Sequence, residues 1–240
     1  MKTYIRNGLS VVIMILLSLT IAVAQESQPA QAFELYHIHV VNAAPGKLTE
    51  LIDAYKSPPG PEAGEPHVTP IILRHAQGGE WDLIVITPLG KQTTITASAP
   101  TKAVQEYNQR LAPLSSWHGD TFAVGPAWAI VQKALVPAKG ESIYQVTDYR
   151  SLPGHRTQLR EVLDRAAAPG HSVLFAHVEG APWNFLNITR YNTWAELGAP
   201  PQPAAGATTP QETGLALRNH MAVHHDTIAT YVSGGQAIAK

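Results

Sequence analysis

Histidine is the residue type best placed to do chemistry in this sequence. The chain has eleven histidines and no cysteine, so imidazoles rather than thiolates would serve as bases or metal ligands. His37 and His39 are two residues apart in a segment rich in β-branched and aromatic residues. On a strand, that spacing places both imidazoles on one face, where they could share a metal ion or a haem. The same spacing also suits two polar side chains that merely share a mixed face.

A second histidine motif occurs twice, as His118-x-Asp120 and as His224-His225-Asp226. A carboxylate beside an imidazole can orient the ring and raise its basicity, as a general base or a metal ligand requires. We predict that at least one of His118, His224 and His225 approaches the site from a helix end. The alternative is a solvated helix end, where the helix dipole favours histidine.

These motifs belong to a longer internal repeat. An aromatic strand, a Pro-Gly turn, a strand ending in histidine, a tryptophan and the histidine–aspartate motif recur in the same order about a hundred residues later, which predicts a tandem duplication. The matching landmarks are Tyr36 and Tyr144, Pro45-Gly46 and Pro153-Gly154, His75 and His177, Trp81 and Trp183, and Asp120 and Asp226.

Each repeat predicts the order strand, helix, strand, strand, helix, which is a split βαβ or ferredoxin-like layer. The predicted segments are 34–41, 46–56, 70–75, 81–87 and 101–112, then 154–167, 172–178, 183–190 and 212–231, with a last strand at 128–135 in the first repeat. One such layer leaves a sheet face uncovered, and two layers can cover each other. We therefore predict an α+β fold in which two tandem ferredoxin-like halves, 34–135 and 136–240, close an α/β barrel within one chain.

On these motifs the sequence resembles the dimeric α/β-barrel superfamily, and more narrowly its NIPSNAP-like and EthD-like members. The residues that carry the resemblance are Tyr36, Pro45-Gly46-Lys47 and Leu51, repeated as Tyr144, Pro153-Gly154 and Leu159, and then the segment from Trp183 to Trp194. That superfamily includes cofactor-free monooxygenases, haem enzymes and proteins with no known activity. The resemblance therefore implies the fold and leaves these functions open.

Alternation along the first strand predicts which side chains face the space between the two sheets. We assign Tyr36, Ile38 and Val40 to the helix-covered face, which leaves His37 and His39 on the face between the sheets. The other residues expected to line that space are Trp81, Gln145, Thr147, Tyr149 and Trp183. Buried polar groups are costly unless they are satisfied, so we expect such a set to surround a small, partly apolar organic ligand.

The leading hypothesis is that the protein binds this small molecule and performs cofactor-free oxidative or isomerising chemistry, with His39 or His224 as the catalytic base. The first alternative is a haem- or metal-dependent enzyme or carrier. Its candidate ligands are His37, His39, His118, His224 and His225. The second alternative is a non-catalytic binding or assembly protein of the cell envelope.

Composition and missing motifs disfavour other classes of function. A net charge of −1 offers no basic face for nucleic acid. The sequence has no Gly-rich phosphate loop, no Gly-x-Ser-x-Gly elbow and no Cys-x-x-Cys-His motif. Nucleotide use, serine-hydrolase chemistry and covalently attached haem are therefore not expected.

The start of the chain predicts export. Lys2 and Arg6 precede the apolar run 9–23, and Ala22-Val23-Ala24 supplies the small residues of a signal-peptidase site. We predict a signal peptide at 1–24, a linker at 25–33, and a periplasmic or secreted mature protein that starts at Gln25 and has no stable membrane span. It would be a monomer that closes its own barrel, or a homodimer.

Overall fold

The computed structural model describes residues 33–59, 68–91, 100–139, 141–167, 170–199 and 209–235. The predicted signal peptide at 1–24, its cleavage site and nearly all of the predicted linker lie outside the described residues. Among the described helices, none is long and apolar enough to cross a membrane.

Both halves contain the order strand, helix, strand, strand, helix, strand, with α3 added at the end of the first half and a short extra helix, α5, in the second. The first half contains β1 (Phe33–Ala43), α1 (Leu48–Lys56), β2 (Ile71–Gln77), β3 (Leu83–Gly90), α2 (Lys102–Leu111), a 3-10 turn (Ala112–Leu114), β4 (Ser115–Pro126) and α3 (Trp128–Leu135). The second half contains β5 (Ile143–Ser151), α4 (Arg156–Ala166), β6 (Ser172–Glu179), β7 (Phe185–Tyr191), α5 (Trp194–Gly198), α6 (Pro210–His220) and β8 (Met221–Ser233).

The eight strands form one closed antiparallel barrel in the order β1-β3-β2-β8-β5-β7-β6-β4. The first half contributes the run β4-β1-β3-β2, and the second half contributes the equivalent run β8-β5-β7-β6. The halves join where β2 pairs with β8 and where β4 pairs with β6. This arrangement confirms the predicted fold class, two tandem ferredoxin-like halves that close an α/β barrel within one chain.

The barrel interior is packed with apolar side chains from all eight strands. Tyr36 and Ile38 of β1, Tyr144 of β5 and Phe175 of β6 are fully buried there, and Val131 of α3 packs against them. An eight-stranded barrel is narrow enough to be filled by its own side chains, and here the inward side chains are apolar and packed together. Each such side chain contributes on the order of 1.5–3 kcal/mol by its burial.

Helices α1 and α4 cover part of the outer surface of the barrel because each has an apolar side. Leu51 and Tyr55 are one turn apart on α1 and pack in an apolar cluster with Val41 of β1. Leu159 and Leu163 have the same spacing on α4 and pack against the second half in the same way. The apolar helix pattern that occurs in both repeats therefore corresponds to two helices, α1 and α4, that pack on the barrel in the same way.

The prediction for the two faces of β1 was wrong. Tyr36 and Ile38 lie in the barrel interior, Val40 packs against that core, and His37 and His39 lie on the outer side. Both faces of β1 carry apolar residues, so alternation alone did not show which set the closed barrel would require. The outer face is covered only in part by helices, and it therefore tolerates the mixed set.

Two predictions of secondary structure were also wrong. Segment 128–135 is helix α3 rather than a strand, since its apolar residues recur at the spacing of a helix face and the closed barrel has no edge for another strand. The predicted helix at 212–231 ends at His220, and strand β8 follows it. His118, His224 and His225 therefore lie on strands β4 and β8, and none of them approaches from a helix end.

Candidate functional site

Four polar side chains converge on the outer face of the first half. His37 and His39 come from β1, and His118 and Asp120 come from β4. Asp120 Oδ1 lies 2.7 Å from His37 Nε2 and 3.6 Å from His39 Nδ1. Asp120 Oδ2 lies 3.4 Å from His118 Nε2. We call these four residues the first-half cluster.

Strand geometry explains why the four side chains meet. His39 lies directly opposite Asp120 in the antiparallel register of β1 and β4. Residues two apart on a strand share a face, so His37 and His118 fall on the same side as this pair. The cluster is therefore held by two neighbouring strands of a closed barrel rather than by loops.

The second half supports the strand that carries Asp120. Gly180, at the turn between β6 and β7, has φ of +110° and lies against the backbone at Asp120 and Thr121. A Cβ atom at Gly180 would collide with the carbonyl oxygen of Asp120. Only glycine combines this backbone conformation with such a close approach.

The environment keeps His39 neutral and Asp120 ionised at neutral pH. Burial lowers the pKa of His39 to about 4, although the Asp120 carboxylate opposes that shift. The hydrogen bond from His37 holds the pKa of Asp120 below its usual range. Beside them, burial raises the pKa of the Tyr55 phenol, so it stays protonated. Its hydroxyl lies 3.4 Å from His39 Nε2.

Solvent reaches the first-half cluster from the β4 side. The side chain of His118 is 54% exposed and that of Asp120 is 46% exposed, whereas that of His39 is 16% exposed beneath α1. His37 lies between these extremes and packs beside the ring of Phe122. A small molecule or an ion can therefore approach one side of the cluster while its other side is held by the core.

An open cleft lies on the same half of the molecule. It has a volume of about 610 Å³ and is lined by Pro59, Ala103, Glu106, Gln109 and Arg110. The guanidinium group of Arg110 lies over the Tyr107 ring. Tyr107 and Tyr55 both pack in the apolar cluster around α1, and the Tyr107 phenol contributes to the raised pKa of Tyr55. Aromatic side chains thus lead from the cleft towards His39.

The second half has a different set of side chains at the equivalent place. Gln145 and Thr147 occupy the positions of His37 and His39, and Asp226 occupies that of Asp120. The Thr147 hydroxyl donates to Asp226 Oδ1 at 2.6 Å, and the Gln145 amide donates to the same oxygen at 3.2 Å. His224 Nε2 lies 3.3 Å from Asp226 Oδ2, and the His224 ring stacks on Tyr149.

The structure therefore separates the residues that were expected to line one site. Gln145, Thr147, Tyr149 and His224 meet on the outer face of the second half, not between the sheets. Trp81 and Trp183 pack against the barrel core and lie edge-on to His75 and His177. His225 joins neither group, since its Nδ1 lies 3.3 Å from the carboxylate of Asp148.

Sequence reasoning missed two residues of the site. Asp120 was expected only to orient a histidine, but it is the group on which three imidazoles converge. Tyr55 was not predicted as a site residue. Its position one turn after Leu51, on the apolar side of α1, was the available signal, because that side must face β1.

No protein-family profile matches this sequence, and no curated protein matches it. Solved structures are similar over most of the chain. A protein named "putative monooxygenase" from Lactobacillus acidophilus NCFM has a TM-score of 0.54 and 10% identity, covering 84% of this chain and 94% of its own. An "anthrone oxidase-like protein" has a TM-score of 0.54 and 9% identity, covering 88% and 97%. A second "putative monooxygenase", from Fusobacterium nucleatum, has a TM-score of 0.59 and 8% identity, covering 85% and 94%.

The chain has the dimeric α/β-barrel fold. At these sequence identities, the similarity establishes the fold alone.

Proposed function

We propose that this protein binds a small, partly apolar organic molecule and oxidises it at the first-half cluster. The observation that carries the proposal is the convergence of three imidazoles on the Asp120 carboxylate, on a face open to solvent and on the same half as the cleft. The barrel interior, where the ligand was first expected, is filled by apolar side chains.

The chemistry of the proposal follows from the pair formed by His37 and Asp120. When His37 donates its Nε2–H to Asp120, its Nδ1 keeps a lone pair that can accept a proton from an acidic O–H group. A deprotonated hydroquinone can then pass two electrons to O₂. The products are the quinone and hydrogen peroxide, so two protons and two electrons move from the substrate to oxygen and no other reductant is needed.

The names of the similar structures support this choice among the functions open to the fold. Two are named as monooxygenases and one as an anthrone oxidase-like protein, so oxidation of small organic molecules recurs among those names. Within the superfamily, we propose that this protein belongs with the NIPSNAP-like and EthD-like members, on the repeated aromatic strand and Pro-Gly turn. We also propose export to the periplasm or the medium, supported by the charged, apolar and small-residue pattern of 1–24.

The test measures oxygen consumption by the metal-free mature protein with a hydroquinone as the probe. We expect the wild type to consume oxygen faster than buffer alone. In Asp120→Asn this protein-dependent rate should fall on the order of a hundredfold, because His37, the base, loses its carboxylate partner. The matched control is Asp226→Asn, the equivalent change in the second half, which should keep the wild-type rate. A wild-type rate equal to that of buffer, or an equal loss in both variants, would overturn the proposal.

A further inference from the structure

We propose that the first-half cluster binds one divalent transition-metal ion of the zinc type through His37, His39, His118 and Asp120. This inference goes beyond the proposed oxidation and stands without it. A bound ion would occupy the imidazole lone pairs, so the metal-loaded form and the base described above are alternative states of one site.

The spacing of the donor atoms suits a tetrahedral ion. Zinc–nitrogen bonds of about 2.0–2.1 Å place neighbouring ligand atoms about 3.3 Å apart. Asp120 Oδ1 lies 2.7 Å from His37 Nε2 and 3.6 Å from His39 Nδ1, which bracket that value, and the other oxygen, Oδ2, lies 3.4 Å from His118 Nε2. The donor atoms of His37, His39 and Asp120 all lie within 4.8 Å of one another. His118 is not part of that close set, so its exposed side chain would have to rotate towards the ion to serve as the fourth ligand.

The donor chemistry selects the class of ion. Imidazoles suit zinc, iron, copper and nickel, whereas magnesium and calcium prefer all-oxygen sites. The Asp120 carboxylate adds a negatively charged oxygen donor to the three imidazoles, which favours a divalent cation.

Access and support also fit a metal site. The exposed side of His118 gives an ion a path from solvent. The Tyr55 hydroxyl lies 3.4 Å from His39 Nε2 and 3.5 Å from its Nδ1. A neighbouring polar group of this kind orients a ligating imidazole.

The second half supplies an internal comparison. Its carboxylate, Asp226, has one nearby imidazole, His224, because Gln145 and Thr147 stand where the first half has histidines. The amide and hydroxyl groups satisfy this carboxylate by hydrogen bonds, and neither provides an imidazole nitrogen. We therefore expect one ion per chain rather than two.

The experiment titrates the metal-free mature protein with Co²⁺, without any organic substrate. We expect one equivalent to bind, to give the visible absorption of tetrahedral cobalt, and to be displaced by Zn²⁺. His118→Gln changes the most exposed ligand and should weaken binding at least about tenfold. The double variant His37→Gln with His39→Thr introduces the residues that the second half has at the equivalent positions, so the barrel is expected to fold with them. This variant should abolish the cobalt absorption. Asp226→Asn should bind as the wild type does.

Three results would overturn the metal site: no tetrahedral cobalt absorption in the wild type, unchanged binding in the double variant, or an equal loss in Asp226→Asn. A thermal melt of each metal-free variant shows whether it is folded before titration. Because the oxidation assay uses metal-free protein and this titration uses no substrate, failure of one proposal leaves the other to be judged on its own measurement.

Discussion

Asp120 and Asp226 occupy equivalent positions on β4 and β8, where they lie opposite His39 of β1 and Thr147 of β5. Their surroundings nevertheless differ. Asp120 is approached by three imidazoles, whereas Asp226 accepts hydrogen bonds from a hydroxyl and an amide. The duplicated backbone thus provides a carboxylate on the outer face twice. The residues at two equivalent positions, His37 and His39 on β1 and Gln145 and Thr147 on β5, decide whether the carboxylate meets imidazoles or neutral hydrogen-bond donors.

The two halves are alike where they fill the barrel, and the largest expected effect tests that likeness. Tyr36→Ala and Tyr144→Ala should each lower the free energy of unfolding by about 3–5 kcal/mol, because each empties a fully buried position. Urea denaturation measures the loss. The controls Tyr36→Phe and Tyr144→Phe remove only a hydroxyl that donates to a backbone carbonyl, and should cost about 1 kcal/mol. A small loss for Tyr36→Ala would mean that this face of β1 does not fill the barrel.

Two hairpin glycines allow the first-half cluster and the residues around Asp226 to be perturbed one at a time. Gly180 lies against the backbone at Asp120, and Gly78 lies against the backbone at Asp226, each with φ of +110°. Gly180→Ala and Gly78→Ala should each cost about 1–3 kcal/mol of stability, since the added Cβ meets backbone in a strained conformation. Only Gly180→Ala should shift the NMR signals of the first-half histidines. Equal shifts in both variants would show that the hairpins do not act locally.

The smallest expected effect is a pH dependence that comes from the second half. Burial lowers the pKa of His177 below the ordinary histidine value of about 6.5, and the nearby Arg156 acts in the same direction. The unfolded chain therefore binds this proton more readily, so stability is present above about pH 6.5 and is lost as the pH falls towards the folded-state pKa. His177→Gln should flatten the fall in urea midpoint between about pH 7 and 5. Parallel curves for the two proteins would contradict this assignment.

The repeat was sufficient to predict most of the fold. Tyr36 and Tyr144, the Pro-Gly turns and the apolar helix faces are local signals, and they mark nearly the same elements that the structure contains. The end of each half was less predictable. Segment 221–233 contains β-branched residues, but its sequence pattern also fits a longer helix α6. Pairing with β2 and β5 makes it a strand. Local preferences are weak where tertiary pairing competes with them.

By itself, the sequence determined the duplication, the order strand, helix, strand, strand, helix that opens each half, and the presence of histidines two apart on β1. Such features depend on residues close together in the chain. Only the tertiary structure decided that Tyr36 faces the core and that His39 meets Asp120. Barrel closure sets which face of β1 is inward, and the register of β1 with β4 joins residues about eighty positions apart. Neither constraint is visible in the alternation of a single strand.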